Sequence, residues 1–320
     1  MNFQLHNYQP DTEDLKTVVI KGLQYSPKQL HPKFFYDEIG SKLFDQICQQ
    51  PEYYIPTVEQ QIFSQYADEM IECIGSNCVI IEPGAGSTKK IRFLLERMQK
   101  NLPTMYVPMD ISAEHLQRSA QQLANDYPEL SIHAVCVDHT KPFQLPDEIP
   151  AHRRVLFYPG SSLGNFKPHE AIDFLQELRN QGGDDSALLI GIDTKKDSDV
   201  LNHAYNDAAG VTAAFNLNLL TRINSELGTK IAVDRFAHHA FYNKAKSRIE
   251  MHLVSKQEQT LHILQHEFHF DAGETIHTEN SYKYSVNEFQ TLVTKAGWVC
   301  DQVWLDDKYY FGVYFLRAAK

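Results

Sequence analysis

The stretch VIIEPGAGSTKK, residues 79–90, reads as an apolar strand that ends on an acid, Glu82, and breaks into glycines and small residues before a helix begins. Strand, glycine loop and helix in that order form the opening unit of an open parallel sheet, whose ligands sit beyond the carboxyl ends of the strands. The neighbouring sequence repeats the unit. From Cys78 to about Leu189, the apolar runs NCVIIEPG, TMYVPMD, SIHAVCVD, RRVLFYPG and SALLIGID each end in polar or glycine residues. Between them lie KKIRFLLERMQ, AEHLQRSAQQLAND and HEAIDFLQELRNQ, with apolar residues at helical spacing and a charged opposite face. Five βα units in series predict an α/β fold with a parallel sheet wrapped by helices.

After Asp193 the rhythm changes. A long helical stretch, DVLNHAYNDAAGVTAAFNLNLLTRINSELG, is followed by alternating segments such as SRIEMHLVS and TLHILQHEFHF, which reads as an inserted α+β domain ending near GETIHTENSYKYS. SVNEFQTLVTKAGW then reads as a helix, and CDQVWLDD and YYFGVYFLRA as two closing strands, for a seven-stranded sheet. The expected division places residues 58–194 and 284–320 in the sheet domain, and residues 1–57 and 195–283 in the inserted one.

Composition narrows the partners. The chain has 320 residues, enough to bury a substantial core, and a formal charge of −11. Neither nucleic acid nor an anionic membrane would attract it at long range, so small ligands are expected. Its five cysteines are scattered without a CxxC pair, which suggests neither a disulfide framework nor a zinc site and points to a reducing cytoplasm. The N-terminal MNFQLHNYQPDTEDLK has no apolar signal core, and no run approaches the ~18 apolar residues of a spanning helix. With no long exposed apolar stripe evident, a cytoplasmic monomer is expected.

Three ligand classes compete for the glycine loop. A Walker phosphate loop fails, because Lys89 stands where its second glycine should be. A dinucleotide fingerprint is a poor match, since Lys89 again replaces its third glycine. The third class is the sulfonium nucleoside S-adenosylmethionine, which carries no phosphate and wants a carboxylate on the next strand for its ribose. Asp110 ends the second strand and Asp138 the third, which resembles class I methyltransferases, whose first such acid grips the ribose and second reads the adenine; the bland reading is that both cap the following helices. Lys89 and Lys90 sit in the first helical turn, where cations are disfavoured, so a ligand carboxylate is a reason for one of them.

Across nearly its whole length the sequence resembles the L-histidine Nα-methyltransferases of ergothioneine biosynthesis, the EgtD family. The resemblance rests on FFYDEIGSKLFDQICQQPEYY (34–54), EPGAGSTKK (82–90), GSSLGNF (160–166), AYNDAAGVTAAFN (204–216), RIEMHL (248–253) and GETIHTENS (273–281). It implies a class I S-adenosylmethionine-dependent methyltransferase with an inserted substrate-binding domain, trimethylating the α-amino group of L-histidine to hercynine without a metal. It further implies donor contacts from Tyr36, Gly84, Lys90, Asp110, Asp138 and His139, the last departing from the aromatic residue common in the family. Asn165 and Tyr205 would hold the substrate carboxylate, Gly160 would frame the amine, and Tyr53, Glu279 and Ser281 would read the imidazole, with Met251 closing over the ring. Tyr36 and Asn165 would orient the amine during transfer.

From the residues alone each assignment has a plainer alternative. Tyr53 and Met251 could fill core, Asn165 could stabilise a turn, and Glu279 with Ser281 could mark a solvated strand edge. A metal-dependent oxygenase is a rival class, since His277-Thr-Glu279 begins a facial-triad pattern and His266 and His269 lie nearby. A non-catalytic sensor of the sulfonium ligand is another, and related methyltransferases acting on a thiohistidine or a prenylated tryptophan are nearer ones.

Overall fold

The computed structural model describes residues 2–8, 15–86, 88–98, 102–141 and 143–319. The chain divides into two compact units, Met1–Asp11 with Thr57–Thr194 and Tyr284–Lys320, and Thr12–Pro56 with Lys195–Lys283.

The first unit is built on one sheet of eight strands. Their order is Phe3–Asn7, Ser131–Cys136, Met105–Asp110, Val79–Pro83, Arg154–Tyr158, Ala187–Asp193, Phe311–Ala318 and Trp298–Leu305. The first six run parallel; the last two close the sheet antiparallel. Val79–Pro83 lies in the middle and is buried along its whole length, as a strand covered on both faces must be. Val79, Ile81, Val107, Met109 and Val135 form one core layer on a face of this sheet.

The expected seven strands are therefore eight, and the N-terminus belongs to the first unit, not with residues 12–56. Phe3–Asn7 pairs in parallel with the edge strand, Phe3 opposite Ile132 and Asn7 opposite Cys136, where it covers otherwise unpaired backbone groups. Its sequence, FQLHN, is too short and too polar to announce a strand; the Asn2 amide adds hydrogen bonds to the carbonyls of Ala124 and Tyr127 at 2.8 and 3.1 Å.

The second unit has a four-stranded sheet, Lys28–Gln29, Thr275–Tyr282, Arg248–Ser255 and Phe236–Asn243, with a separate hairpin of Gln259–Ile263 and His266–Phe270. Against it packs a core that includes Phe35, Phe215, Leu219, Ile249, Met251 and Ile276. The long helical stretch is two helices, Ser198–Ala204 and Val211–Leu227. They part because Gly210 adopts φ +72° and the two oxygens of Asp207 take the Thr212 and Val211 amides, each at 2.7 Å.

Asn216, fully buried, binds helix to sheet. Its amide donates to the His252 carbonyl at 3.0 Å and meets His238 Nδ1 at 2.9 Å, while its oxygen accepts from Thr278 Oγ1 at 2.8 Å. Asn216→Leu should cost about 3 kcal/mol, because partners stay buried without it; urea unfolding measures this, and a loss near zero would contradict the assignment.

Glu82, also buried, accepts from the Tyr106 hydroxyl at 2.5 Å. Burial pushes its carboxyl up to about 8, against the pull of the Tyr106 hydrogen bond and of Lys90. The folded chain thus keeps a proton that the unfolded chain releases near 4.5. Stability should fall as pH rises from there through about 8, by up to about 1.4 kcal/mol per pH unit from this group. Glu82→Gln should remove that slope, measured by denaturation across the same window.

Candidate active site

In the first unit, the backbone after Pro83 turns through left-handed conformations at Gly84 (φ +67°) and Gly86 (φ +49°). The Ala85 amide donates to the Met109 carbonyl at 2.9 Å, and the Gly86 amide to Asp110 Oδ2 at 3.0 Å. The other Asp110 oxygen accepts from the Ser112 amide at 3.0 Å, at the start of the helix Ala113–Asp126. Asp110 thus does hold the next helix's entry, and it also fixes the loop. A carboxylate accepting two bonds keeps lone pairs for a ligand hydroxyl.

Asp138 accepts from the Thr140 amide and hydroxyl at 3.1 and 2.5 Å. His139 beside it packs edge-on to Tyr158 and Phe174, and burial pushes its imidazole pKa down, toward the neutral ring. Gly84 is left-handed, and a Cβ there would come within 3.2 Å of His139 Cε1, so a side chain would be strained and would crowd this ring. His139 Nδ1 is buried without a hydrogen-bond partner among the described residues. A glycine cradle, a strand-end carboxylate and an unpaired buried ring nitrogen fit a nucleoside.

Lys90 forms an ion pair with Glu59 at 2.7 Å, and the other Glu59 oxygen accepts from the Gly160 amide at 2.6 Å. Glu59 is only 1% exposed and was not singled out from the sequence. The available signal was an acid on the apolar face of the helix Ile55–Ile74, four residues after Ile55 and before Ile62 and Phe63. From Gly160 the chain runs through Ser161, at φ +61°, into a short 3-10 turn, Ser162–Asn165, which carries the half-buried Asn165.

In the second unit Tyr36 is 45% exposed, its ring edge-on to Phe44 and Phe215. Tyr53 packs edge-on to Tyr205 with ring centroids 6.0 Å apart, and burial, reinforced by Tyr205, keeps its hydroxyl protonated far beyond the usual range. Tyr205 Oη donates to Ser281 Oγ at 2.8 Å. Lys283, fully buried and also unforeseen, donates to Ser281 Oγ at 2.9 Å and Tyr205 Oη at 3.3 Å. It stands two residues after Ser281, so strand alternation was the clue to its facing the same way. Burial pushes the Glu279 carboxyl up to about 7 while the Lys283 charge pulls it down. Met251, 1% exposed, is core and lies opposite Glu279 in the strand register. Tyr53, Tyr205, Glu279, Ser281 and Met251 thus belong to one neighbourhood.

The facial-triad pattern takes a different form. Glu250, His252 and His277 bring ligand atoms within 4.8 Å of one another, a set that leaves out Glu279. The Glu250 carboxylate is already engaged by Arg248, through Nε at 2.8 Å and Nη2 at 2.7 Å, and by His252 Nε2 at 3.2 Å. Burial alone would raise Glu250; the Arg248 and His252 bonds hold it at about 2. His277 Nε2 bonds the Glu279 carbonyl at 3.0 Å. Arg248 and the trio form an ion-pair network within the sheet, and an arginine-neutralised carboxylate is a poor anionic ligand.

The model of a family described as SAM-dependent, histidine-specific methyltransferases matches residues 15–318. The chain is 37% identical over 320 residues to a histidine N-alpha-methyltransferase of Mycolicibacterium smegmatis, covering 98% of each. It is 36% identical over 303 residues to that of Mycobacterium tuberculosis, covering 93% of each. Ergothioneine biosynthesis protein 1 of Neurospora crassa is 29% identical over 289 residues, 85% of this chain and 31% of that one. A solved S-adenosylmethionine-dependent methyltransferase from Clostridium acetobutylicum aligns at 10% identity with a TM-score of 0.47, covering 81% of this chain and 92% of that one. A glycine loop tied to a strand-end carboxylate and a near full-length family match lead to one conclusion: the chain belongs to the S-adenosylmethionine-dependent, histidine-specific methyltransferases.

Proposed function

We propose that this protein transfers methyl groups from S-adenosylmethionine to the α-amino nitrogen of L-histidine, three in succession, giving hercynine for ergothioneine biosynthesis. The observation that carries the substrate is the neighbourhood of Tyr53, Glu279 and Ser281, backed by Lys283, in a chain of this family. An imidazole presents two nitrogens, and a carboxylate with a hydroxyl can satisfy both. An indole presents one, which would leave a buried polar group unpaired.

When bound, the donor supplies an electrophilic methyl group. Asp110 accepts the ribose hydroxyls, Asp138 and His139 meet the adenine, and Lys90 takes the carboxylate at the amino-acid end. Asn165 and Tyr205 hold the histidine carboxylate, Tyr205 by turning its one hydroxyl proton from Ser281 to the ligand while its oxygen accepts from Lys283. The Gly160 amide is committed to Glu59, so the residue frames the substrate amine through its carbonyl oxygen. Tyr36 and Asn165 orient the nitrogen lone pair for in-line attack and let the amine rotate between transfers. A neighbouring sulfonium charge disfavours the ammonium form, which eases loss of the proton without a dedicated base. We assign no metal and no nucleic-acid or membrane partner to the reaction; no helix among the described residues is long and apolar enough to cross a membrane. The chain is proposed to work as a cytoplasmic monomer.

Mass spectrometry of histidine incubated with protein and donor should show mono-, di- and trimethylated products on the α-nitrogen. An unmodified mass, or methylation confined to the ring, would overturn the reading. Glu279→Ala should lower kcat/KM for histidine by about 10²-fold and leave donor affinity unchanged, because a reader of the ring is lost. Asp110→Ala should do the reverse, weakening the donor by about tenfold or more in calorimetric titration.

A further inference from the structure

We propose that Glu59 is a positioning residue for methyl transfer: one of its oxygens aims the Lys90 ammonium at the donor, and the other anchors the turn that carries Asn165. This deepens the proposed function and rests on its reading of Lys90 as a donor contact.

The geometry divides the carboxylate cleanly. Oε2 meets Lys90 Nζ at 2.7 Å and Oε1 accepts from the Gly160 amide at 2.6 Å. Two glycines make the room. A Cβ at Gly191, in the middle of the buried strand Ala187–Asp193, would stand 2.3 Å from Glu59 Oε1. A Cβ at Gly160, itself at φ +85°, would stand 2.6 Å from Lys90 Nζ. The chain thus gives up side chains at two positions to admit a charged pair whose acid is almost wholly buried. A buried ion pair is a poor source of stability, since desolvation offsets the attraction, so its purpose here is orientation.

Lys90 remains 39% exposed at its side chain while Glu59 is covered, so the pair presents its cationic end to solvent and to ligand. Without the acid the long lysine side chain would sample many rotamers, and donor binding would have to order it. Through Gly160 the same acid fixes the start of the Ser162–Asn165 turn. One carboxylate therefore sets the donor lysine and the amine-facing turn in a common frame.

The test compares E59Q, K90M and the double variant E59Q/K90M by steady-state kinetics with S-adenosylmethionine and histidine, and by titration with S-adenosylhomocysteine. E59Q keeps an acceptor for the Gly160 amide and loses the charge that holds Lys90. It should raise donor KM by about tenfold, a lost charge-assisted bond, with histidine KM unchanged. The double variant should be no worse for the donor than K90M, since both act through one contact. E59D, which restores the charge, should recover part of the donor affinity. A wild-type donor KM in E59Q, or effects of E59Q and K90M that multiply, would overturn the proposal. If E59Q does not fold, the double variant, which buries no charge, and E59D carry the same comparison. A donor KM unchanged in K90M would instead remove the reading of Lys90 and this inference with it, whereas failure of wild-type protein to methylate histidine would remove the function itself.

Discussion

The chain leaves a strand buried on both faces and must turn within three residues so that backbone, not side chain, faces a ligand. That constraint falls on Gly84 and Gly86, whose left-handed conformations let the loop fold back beneath His139. A loop of this kind would wander unless tied, and Asp110 ties it from the next strand by accepting the Gly86 amide. The acid proposed to meet the ribose is thus also the acid that holds the loop. On that proposal, ligand recognition and loop geometry share one carboxylate.

Desolvation is the second theme, and it recurs in both units. Glu82 lies under the loop bonded to Tyr106, Glu59 lies under Lys90, and Lys283 lies under Ser281 and Tyr205. Each of these three buried groups has a hydrogen-bonding partner, as burial in a low dielectric demands. The consequence is rigidity at two groups proposed to meet ligands: Lys90 is held by Glu59 and Ser281 by Lys283. In the sheet ion pair of Glu250 and Arg248, the acid is held by arginine, histidine and asparagine side chains.

Most of the first unit was legible from the sequence because its strands and helices differ in period, and every one of the five apolar runs became a strand. The glycine loop could be read because left-handed turns need glycine. The N-terminal strand was not legible: five residues of mixed polarity carry no periodic signal, and only the edge they cover explains them. The break between Ala204 and Val211 was hidden by good helix formers on both sides, although Asp207 and Gly210 are the residues that make it. Glu59 and Lys283 escaped for a common reason. A charged residue at an apolar-phase position reads as an exception to the pattern, and only coordinates reveal the partner that makes its burial tolerable. The proposed role of Glu279 and Ser281 came from the family resemblance, since alone they look like an exposed strand edge.

The parallel pairing of Phe3–Asn7 with Ser131–Cys136 has a bearing on biogenesis. The first strand leaves the ribosome early, yet its partner emerges only after two complete βα units have been made. Until then the N-terminal segment has nowhere to dock, and the sheet's outer flank is finished by a contact between distant parts of the chain, a slow kind of closure. A fusion joined to Phe3–Asn7 would therefore load a segment that must wait for a distant partner, whereas Phe311–Ala318 pairs with its neighbour through a short hairpin.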